Sequence, residues 1–195
     1  MKPTLTERLL LRAPLDADLP ALLEIYGDPA THQYNPAGPL ESAEAAGHLL
    51  WRWQLHWARH GFGIWVVALR DAPETVIGFG GVAFAGTDSS PRLNLRFRPT
   101  AWGQGYASEL AQAALQLAFD LRGATEVKAV VAPDNVPART LLARLGMQET
   151  GQVQDYPWLP ANLRYSLTAA DFVSAQRPGL DASQQMLHQA PRLAA

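Results

Sequence analysis

A strand, a glycine-rich turn, a helix and a second strand follow one another between residues 93 and 132. Residues 93–97 are a β-rich run, and residues 106–121 have the apolar spacing of a helix that ends at Gly123. Residues 127–132 form the next β-rich run. Two strands joined by a helix in this way are parallel neighbours with a right-handed crossover, so the chain is expected to contain an α/β unit.

Hydrophobic periodicity predicts a mixed sheet around this unit. Alternating runs predict strands at residues 9–13, 64–69, 76–84, 147–153 and 163–167, and helical spacing predicts helices at 16–26, 42–59 and 137–145. Asp16 is expected to cap the first helix. The fold class is therefore α/β (α+β), with a mostly antiparallel sheet, one central parallel pair and flanking helices. We expect one domain over residues 1–173 and a C-terminal tail over 174–195 outside the core.

Composition excludes several classes of function. The 16 basic and 18 acidic residues give a net charge of −2, which lacks the basic face expected for binding nucleic acid. The absence of cysteine removes disulfides, thiolate metal sites and a cysteine nucleophile. The chain shows no signal peptide and no run of apolar residues long enough for a membrane span, so we expect a cytoplasmic protein without membrane partners.

The turn Gly103-Gln104-Gly105 has the chemistry of an anion site. The first N–H groups of a helix lack partners, the helix dipole places positive charge there, and glycine lets a phosphate approach the main chain. An ordinary tight turn is the alternative interpretation. A dinucleotide-binding fingerprint is disfavoured, because residues 99–102 separate the strand from the first glycine and the chain has only one such unit.

Four segments resemble one known family. WGQGYASE at 102–109 resembles the acetyl-CoA loop of the GNAT acetyltransferase superfamily, and most of all its branch of ribosomal-protein N-terminal (Rim-type) acetyltransferases. TERLLLR at 6–12, VIGFGG at 76–81 and NVPARTLLARLGM at 135–147 resemble further motifs of that branch, in the same order and spacing.

The resemblance implies an N-acetyltransferase that uses acetyl-CoA and a primary amine, as a monomer or a homodimer. The parallel strands would splay apart and hold the pantetheine arm of the cofactor in the gap. The implied cofactor residues are main-chain groups of the strand and the loop, with two side chains across the gap: Leu95, Arg96, Phe97, Gly103, Gln104, Gly105, Tyr106, Ala107, Ser108, Asn135 and Arg139.

The chain departs from the family pattern at four positions. Trp102 stands where the wider superfamily has Gln or Arg, and Arg92 stands where Glu is frequent. Leu142 and Ala138 replace the Tyr and Ser that usually donate a proton to the leaving thiolate. No catalytic acid or base can therefore be assigned, and a non-catalytic acyl-CoA-binding or protein-interaction module is the rival interpretation.

Other candidate side chains have structural interpretations. His56 and His60 have metal-ligand spacing, but no third ligand accompanies them, so a solvated helix face is expected and no metal site. Trp53 and Trp57 are expected to pack inward, whereas Trp51 is a candidate for the acceptor groove. Glu109 is interpreted as a partner of the helix dipole. The loop with Asp155, Tyr156 and Trp158 either walls the acceptor site or is a plain surface loop.

Overall fold

The computed structural model describes residues 2–35, 38–86, 88–154 and 160–176. The strands are β1 (Thr4–Leu5), β2 (Leu9–Arg12), β3 (Ile64–Leu69), β4 (Val76–Ala83), β5 (Arg92–Phe97), β6 (Glu126–Val131), β7 (Gln148–Val153) and β8 (Asn162–Thr168). The helices are α1 (Leu19–Gly27), α2 (Ala43–His60), α3 (Tyr106–Gln116), α4 (Val136–Arg144) and α5 (Ala169–Gln176).

These strands form one sheet in the order β1-β2-β3-β4-β5-β6-β8-β7. All neighbours are antiparallel except β5 and β6, which are parallel. The expected mixed sheet with one central parallel pair is therefore confirmed, and the strand–helix–strand unit supplies that pair.

Helices cover both faces of the sheet. On one face, α1 and α2 bury a cluster that includes Leu22, Ile25, Leu50, Val66 and Phe79. On the other, the buried cluster includes Leu110, Leu115, Val127, Leu142 and Phe172, which come mainly from the later helices and strands. Burial of this apolar area on both faces stabilises the sheet.

The glycines of β4 allow β5 and α3 to pack directly against this strand. A Cβ on Gly78 would stand 2.6 Å from the Arg96 carbonyl oxygen, and one on Gly80 would stand 2.8 Å from a methyl carbon of Leu110. Since any side chain there would displace backbone or core atoms, these positions require glycine.

Local sequence signals explain the ends of α2. The Ser42 side chain accepts a hydrogen bond from the N–H of Ala45 (3.1 Å), and Gly61 ends the helix with a φ of 68°. Trp57 is buried, Trp53 packs against the α1–α2 core cluster, and Trp51 is 60% exposed. The inward packing expected of Trp53 and Trp57 is confirmed.

The expected cap of the first helix is wrong. The chain first makes a 3-10 turn over Asp16–Asp18, and Asp16 instead accepts a hydrogen bond from Gln54 (2.9 Å) on α2. The buried carboxylate is Asp18, which accepts from the N–H of Leu15 (2.7 Å) and from both Nη atoms of Arg12. A tertiary ion pair thus decides which aspartate faces inward, and this ion pair raises the pKa of Arg12.

Two short elements were not expected from periodicity. β1 has only two residues, and α5 follows β8 directly and buries Phe172 against Phe119, with ring centroids 4.8 Å apart. The expected tail from residue 174 thus begins inside α5, and residues 177–195 lie outside the described part of the chain.

Candidate active site

β5 and β6 separate soon after they meet. Their register contains a single pair, Arg92 with Lys128, and the N–H of Lys128 donates to the Pro91 carbonyl (2.9 Å). Beyond that point β5 continues beside β4, and β6 continues beside β8. A gap therefore opens toward the carboxyl ends of the two strands.

Backbone alternation determines which groups face this gap. The N–H of Arg98 donates to the Ile77 carbonyl (3.0 Å), and bonded and non-bonded pairs alternate along antiparallel strands. The backbone of Arg96 therefore faces β4, whereas the backbones of Leu95 and Phe97 face the gap. The Phe97 carbonyl accepts from Trp102 Nε1 (2.9 Å), so Leu95 presents both its N–H and its C=O to the gap.

The glycine-rich turn lies at the wide end of the gap. Gly103 and Gly105 have φ values of 73° and 82°, and both are exposed with Gln104 between them. Gly105 is the N-cap of α3, and no side chain of the described residues caps that helix end. Because the N–H of Ser108 already donates to the Gly105 carbonyl (3.1 Å), the donors left for an anion precede it, at Tyr106, Ala107 and the turn.

An ion pair between Arg8 and Glu109 connects this turn and the start of α3 to the segment between β1 and β2. Glu109 accepts hydrogen bonds from Thr6 Oγ1 (2.5 Å), from the N–H of Arg8 (2.7 Å) and from Arg8 Nε (2.8 Å). Arg8 also donates to the Gln104 carbonyl (2.8 Å) and lies over the ring of Tyr106. Burial acts to raise the pKa of Glu109, but the bonds from Thr6 and Arg8 outweigh it and lower the pKa. The structural role interpreted for Glu109 agrees with these bonds.

Asn135 and Arg139, the two side chains predicted across the gap, form hydrogen bonds at the start of α4. The Asn135 side chain accepts from the N–H of Ala138 (3.1 Å) and so caps α4. Arg139 donates to the Pro133 carbonyl (2.9 Å) and to the Tyr165 hydroxyl (3.4 Å), and this hydroxyl contact raises its pKa. Both residues follow β6, at the same wide end of the gap.

The positions that depart from the family pattern offer no proton donor. Leu142 is buried in the core, and Ala138 packs against it. Arg92 is tied to Asp88 by an ion pair of 2.8 Å. Trp102 is half exposed and bonds to Phe97, so it covers the end of β5.

A family model described as "Acetyltransferase (GNAT) domain" matches residues 8–148, which is more than half of the chain. The chain belongs to the GNAT acetyltransferase family.

Known proteins agree with this membership in sequence and in fold. The uncharacterized N-acetyltransferase YoaA of Bacillus subtilis (strain 168) is 27% identical over 152 residues, which cover 77% of this chain and 85% of YoaA. Two solved structures superpose on this chain with TM-scores of 0.72. A ribosomal-protein-S5-alanine acetyltransferase from Vibrio fischeri is 14% identical, and the match covers 88% of this chain and 99% of that one. A spermidine N-acetyltransferase from Vibrio cholerae in complex with CoA and spermine is 20% identical, and the match covers 86% of this chain and 99% of that one. At these identities the two structures support the fold alone.

The solvated face expected for both histidines of α2 is wrong for His56. Its Nδ1 lies 2.8 Å from the Phe62 carbonyl, and its Nε2 accepts from the N–H of Phe84 (3.0 Å), whereas His60 is exposed. His56 thus joins α2 to the sheet as a neutral ring, and burial lowers its pKa. Within the described ranges, no three potential ligands cluster as a metal site, and no helix is both long and apolar enough to cross a bilayer.

One group of side chains beside the gap was not predicted from the sequence. Arg96 lies 4.3 Å over the ring of Tyr26 and contacts the imidazole of His32, which is 7% exposed. His32 is 64 residues from Arg96 in the chain, so no local spacing connects them. The even spacing of Arg92, Arg96 and Arg98 does predict from the sequence that these three side chains lie on one face of the sheet. The loop with Asp155, Tyr156 and Trp158 lies outside the described residues.

Proposed function

We propose that this GNAT protein transfers an acetyl group from acetyl-CoA to a primary amine by direct attack in a ternary complex. The observation that carries the proposal is the gap between β5 and β6, which opens onto an exposed turn and the uncapped end of α3. Pantetheine would bond to Leu95 as an added strand does, and the pyrophosphate would lie on the N–H groups around Gly103 and Gly105.

Acetyl-CoA supplies the acetyl group as a thioester. A main-chain N–H of β5 that faces the gap, such as that of Leu95 or Phe97, would polarise the thioester carbonyl, which the amine nitrogen attacks. The new C–N bond replaces the C–S bond, the nitrogen loses a proton, and the CoA sulfur leaves and is protonated. Orientation of the two reactants contributes most of what the protein does, since well-oriented neighbours react as if at very high concentration.

We infer that the acceptor amine has a low pKa. No side chain of the described residues is assigned as the catalytic base, so we expect a solvent route to remove the proton from the amine. An α-amino group, with a pKa of about 7.7–8.0, is partly neutral at pH 7, whereas a lysine amine of about 10.4 is almost wholly charged. The resemblance to Rim-type enzymes also favours a protein N-terminus, and small-molecule amines with a low pKa satisfy the same argument.

The missing proton donors also favour a second candidate, a non-catalytic acyl-CoA-binding module on the same fold. Calorimetry with CoA and a thiol-release assay with acetyl-CoA separate the two. An enzyme binds CoA and releases thiol only when an α-amine peptide or a small amine is added. A module binds CoA and releases no thiol with any amine, and a protein that binds no CoA contradicts both proposals.

A further inference from the structure

Three arginines lie on the same face of β5. Arg92 and Arg96 of β5 and Arg98 directly after it are separated by even numbers of residues, so their side chains point to the side of the sheet that α1 covers. Arg92 pairs with Asp88 at 2.8 Å, and Arg98 pairs with Glu24 at 3.4 Å. Within the described part of the chain, Arg96 forms no ion pair with a carboxylate. The middle arginine is thus the one whose charge is not compensated.

Aromatic side chains hold Arg96 in place of an acid. Its guanidinium lies over Tyr26, whose ring stands edge-on against Trp53 and Phe79 with centroids 5.6 and 6.0 Å away. Nη1 of Arg96 donates to His32, so Nε and Nη2 are the donors available to another group. Such a packed floor fixes the direction of the guanidinium and adds no negative charge.

Of the side chains of Arg96 and His32, only that of Arg96 carries a charge at physiological pH. Burial lowers the pKa of His32, and the positive charge of Arg96 lowers it further. Burial also lowers the pKa of Arg96, although a guanidinium stays protonated at any physiological pH. The cluster therefore presents a single, partly desolvated cation, which an anion would stabilise more than an exposed arginine would.

Arg96 also lies on the side from which an acceptor must approach. The backbone of its neighbour Leu95 faces the gap, and the helix that follows the glycine turn, α3, packs on the opposite face of the sheet through Leu110. With the pyrophosphate on the turn before α3, as proposed above, the cofactor would enter from the α3 side, so an amine that attacks the thioester directly would approach from the α1 side. An anionic group on that amine would meet the guanidinium of Arg96.

We propose that the acceptor is a primary amine that also carries a carboxylate, and that Arg96 binds this carboxylate through its guanidinium fork. The inference rests on the proposed acetyl transfer and names the class of acceptor. It disfavours a polyamine acceptor, since the uncompensated charge of Arg96 would repel the further cationic groups of a polyamine.

Kinetics with matched acceptors test the proposal. The acceptors are peptides that differ only in Asp against Asn, or Glu against Gln, at the first residue, together with amino acids and their amides. We expect wild-type kcat/KM to favour the carboxylate member of at least one pair at least tenfold. Arg96→Gln should bring that ratio close to one through KM, and Arg96→Lys should keep part of it. Arg92→Gln is the matched control and should keep the ratio, because Asp88 already neutralises Arg92.

A binding measurement separates this inference from the proposed function. The side-chain Nε–H signal of Arg96, assigned in NMR spectra by its loss in Arg96→Gln, is titrated with each acid and its amide, with and without CoA. A shift with acids alone supports the inference, even for a protein that releases no thiol. Equal response to acid and amide, or a preference for spermidine, overturns it, while thiol release with neutral amines would leave the proposed acetyl transfer intact.

Discussion

A negative charge in the glycine turn should weaken CoA binding through repulsion. Gly103 is the best position for this test, because a Cβ there meets no atom within 4 Å and its φ of 73° is one that both Asn and Asp tolerate. Gly105 is less suitable, since a Cβ there lies 3.3 Å from Arg8 Nη2 and a carboxylate would pair with that arginine. Gly103→Asp and Gly103→Asn therefore differ mainly in charge.

The expected magnitude follows from Coulomb's law. A carboxylate about 5 Å from a phosphate charge, in an exposed loop with a dielectric constant near that of water, costs about 0.8 kcal/mol. The two charges of a pyrophosphate double this to about 1.7 kcal/mol, which is roughly a fifteenfold increase in the Kd for CoA. The repulsion should shrink at about 1 M salt, where the screening length is about 3 Å.

Isothermal titration calorimetry of both variants gives the comparison. Gly123→Asp is the control for a negative charge at another open glycine with positive φ, and it should bind CoA as wild type does. Equal CoA affinity for Gly103→Asp and Gly103→Asn at low salt would refute the placement of the pyrophosphate on this turn. A difference that persists unchanged in high salt would show that repulsion is not its cause.

Three further predictions follow from the same structure. Glu109→Gln weakens the hydrogen bonds from Thr6 and Arg8, so it should lower the free energy of unfolding by about 1–3 kcal/mol in urea titrations. Glu24→Gln, at an exposed ion pair, is the control. Equal losses of unfolding free energy in the two variants would contradict a stabilising role for the bonds of Glu109. Because burial lowers the pKa of His56, its ring is protonated in the unfolded chain at a higher pH than in the folded protein. The free energy of unfolding should therefore fall as the pH drops below about 6.5, and it should fall less in His56→Gln. Equal pH dependence of the unfolding free energy in wild type and His56→Gln would exclude His56 as the cause. A peptide with a free α-amine and blocked lysines should outcompete a lysine peptide with a blocked N-terminus; preference for lysine, with a rate independent of pH from 7 to 9, would mean that the protein contains a strong base.

Local chemistry made the glycine turn predictable. Gly103 and Gly105 adopt the positive φ that their residue type permits, and Tyr106 starts a helix at once, so sequence spacing was sufficient. The parallel pair was also predictable, because a strand–helix–strand unit has one favoured handedness. Which backbone groups face the gap depends on register with β4, and no single-strand pattern contains that information.

Long-range pairing explains what the sequence did not reveal. Arg96 meets His32 and Tyr26 only because α1 folds over β5, and Asp18 displaces Asp16 only because Arg12 of β2 reaches it. His56 looked like a surface residue by helical spacing, yet the carbonyl of Phe62 and the N–H of Phe84 close around it. Each of these contacts needs the tertiary fold before it can be seen.

Transfer of labelled acetyl from acetyl-CoA in a single turnover tests the central claim most directly. With protein in excess and a carboxylate-bearing α-amine present, mass spectrometry should find the label on the amine, with one CoA thiol released for each acetylated amine. Without the amine, the thioester should stay intact and the protein unlabelled, since the amine attacks the thioester directly. Label retained on the protein would contradict direct attack, and CoA binding without transfer to this amine or to any neutral α-amine would contradict the enzyme.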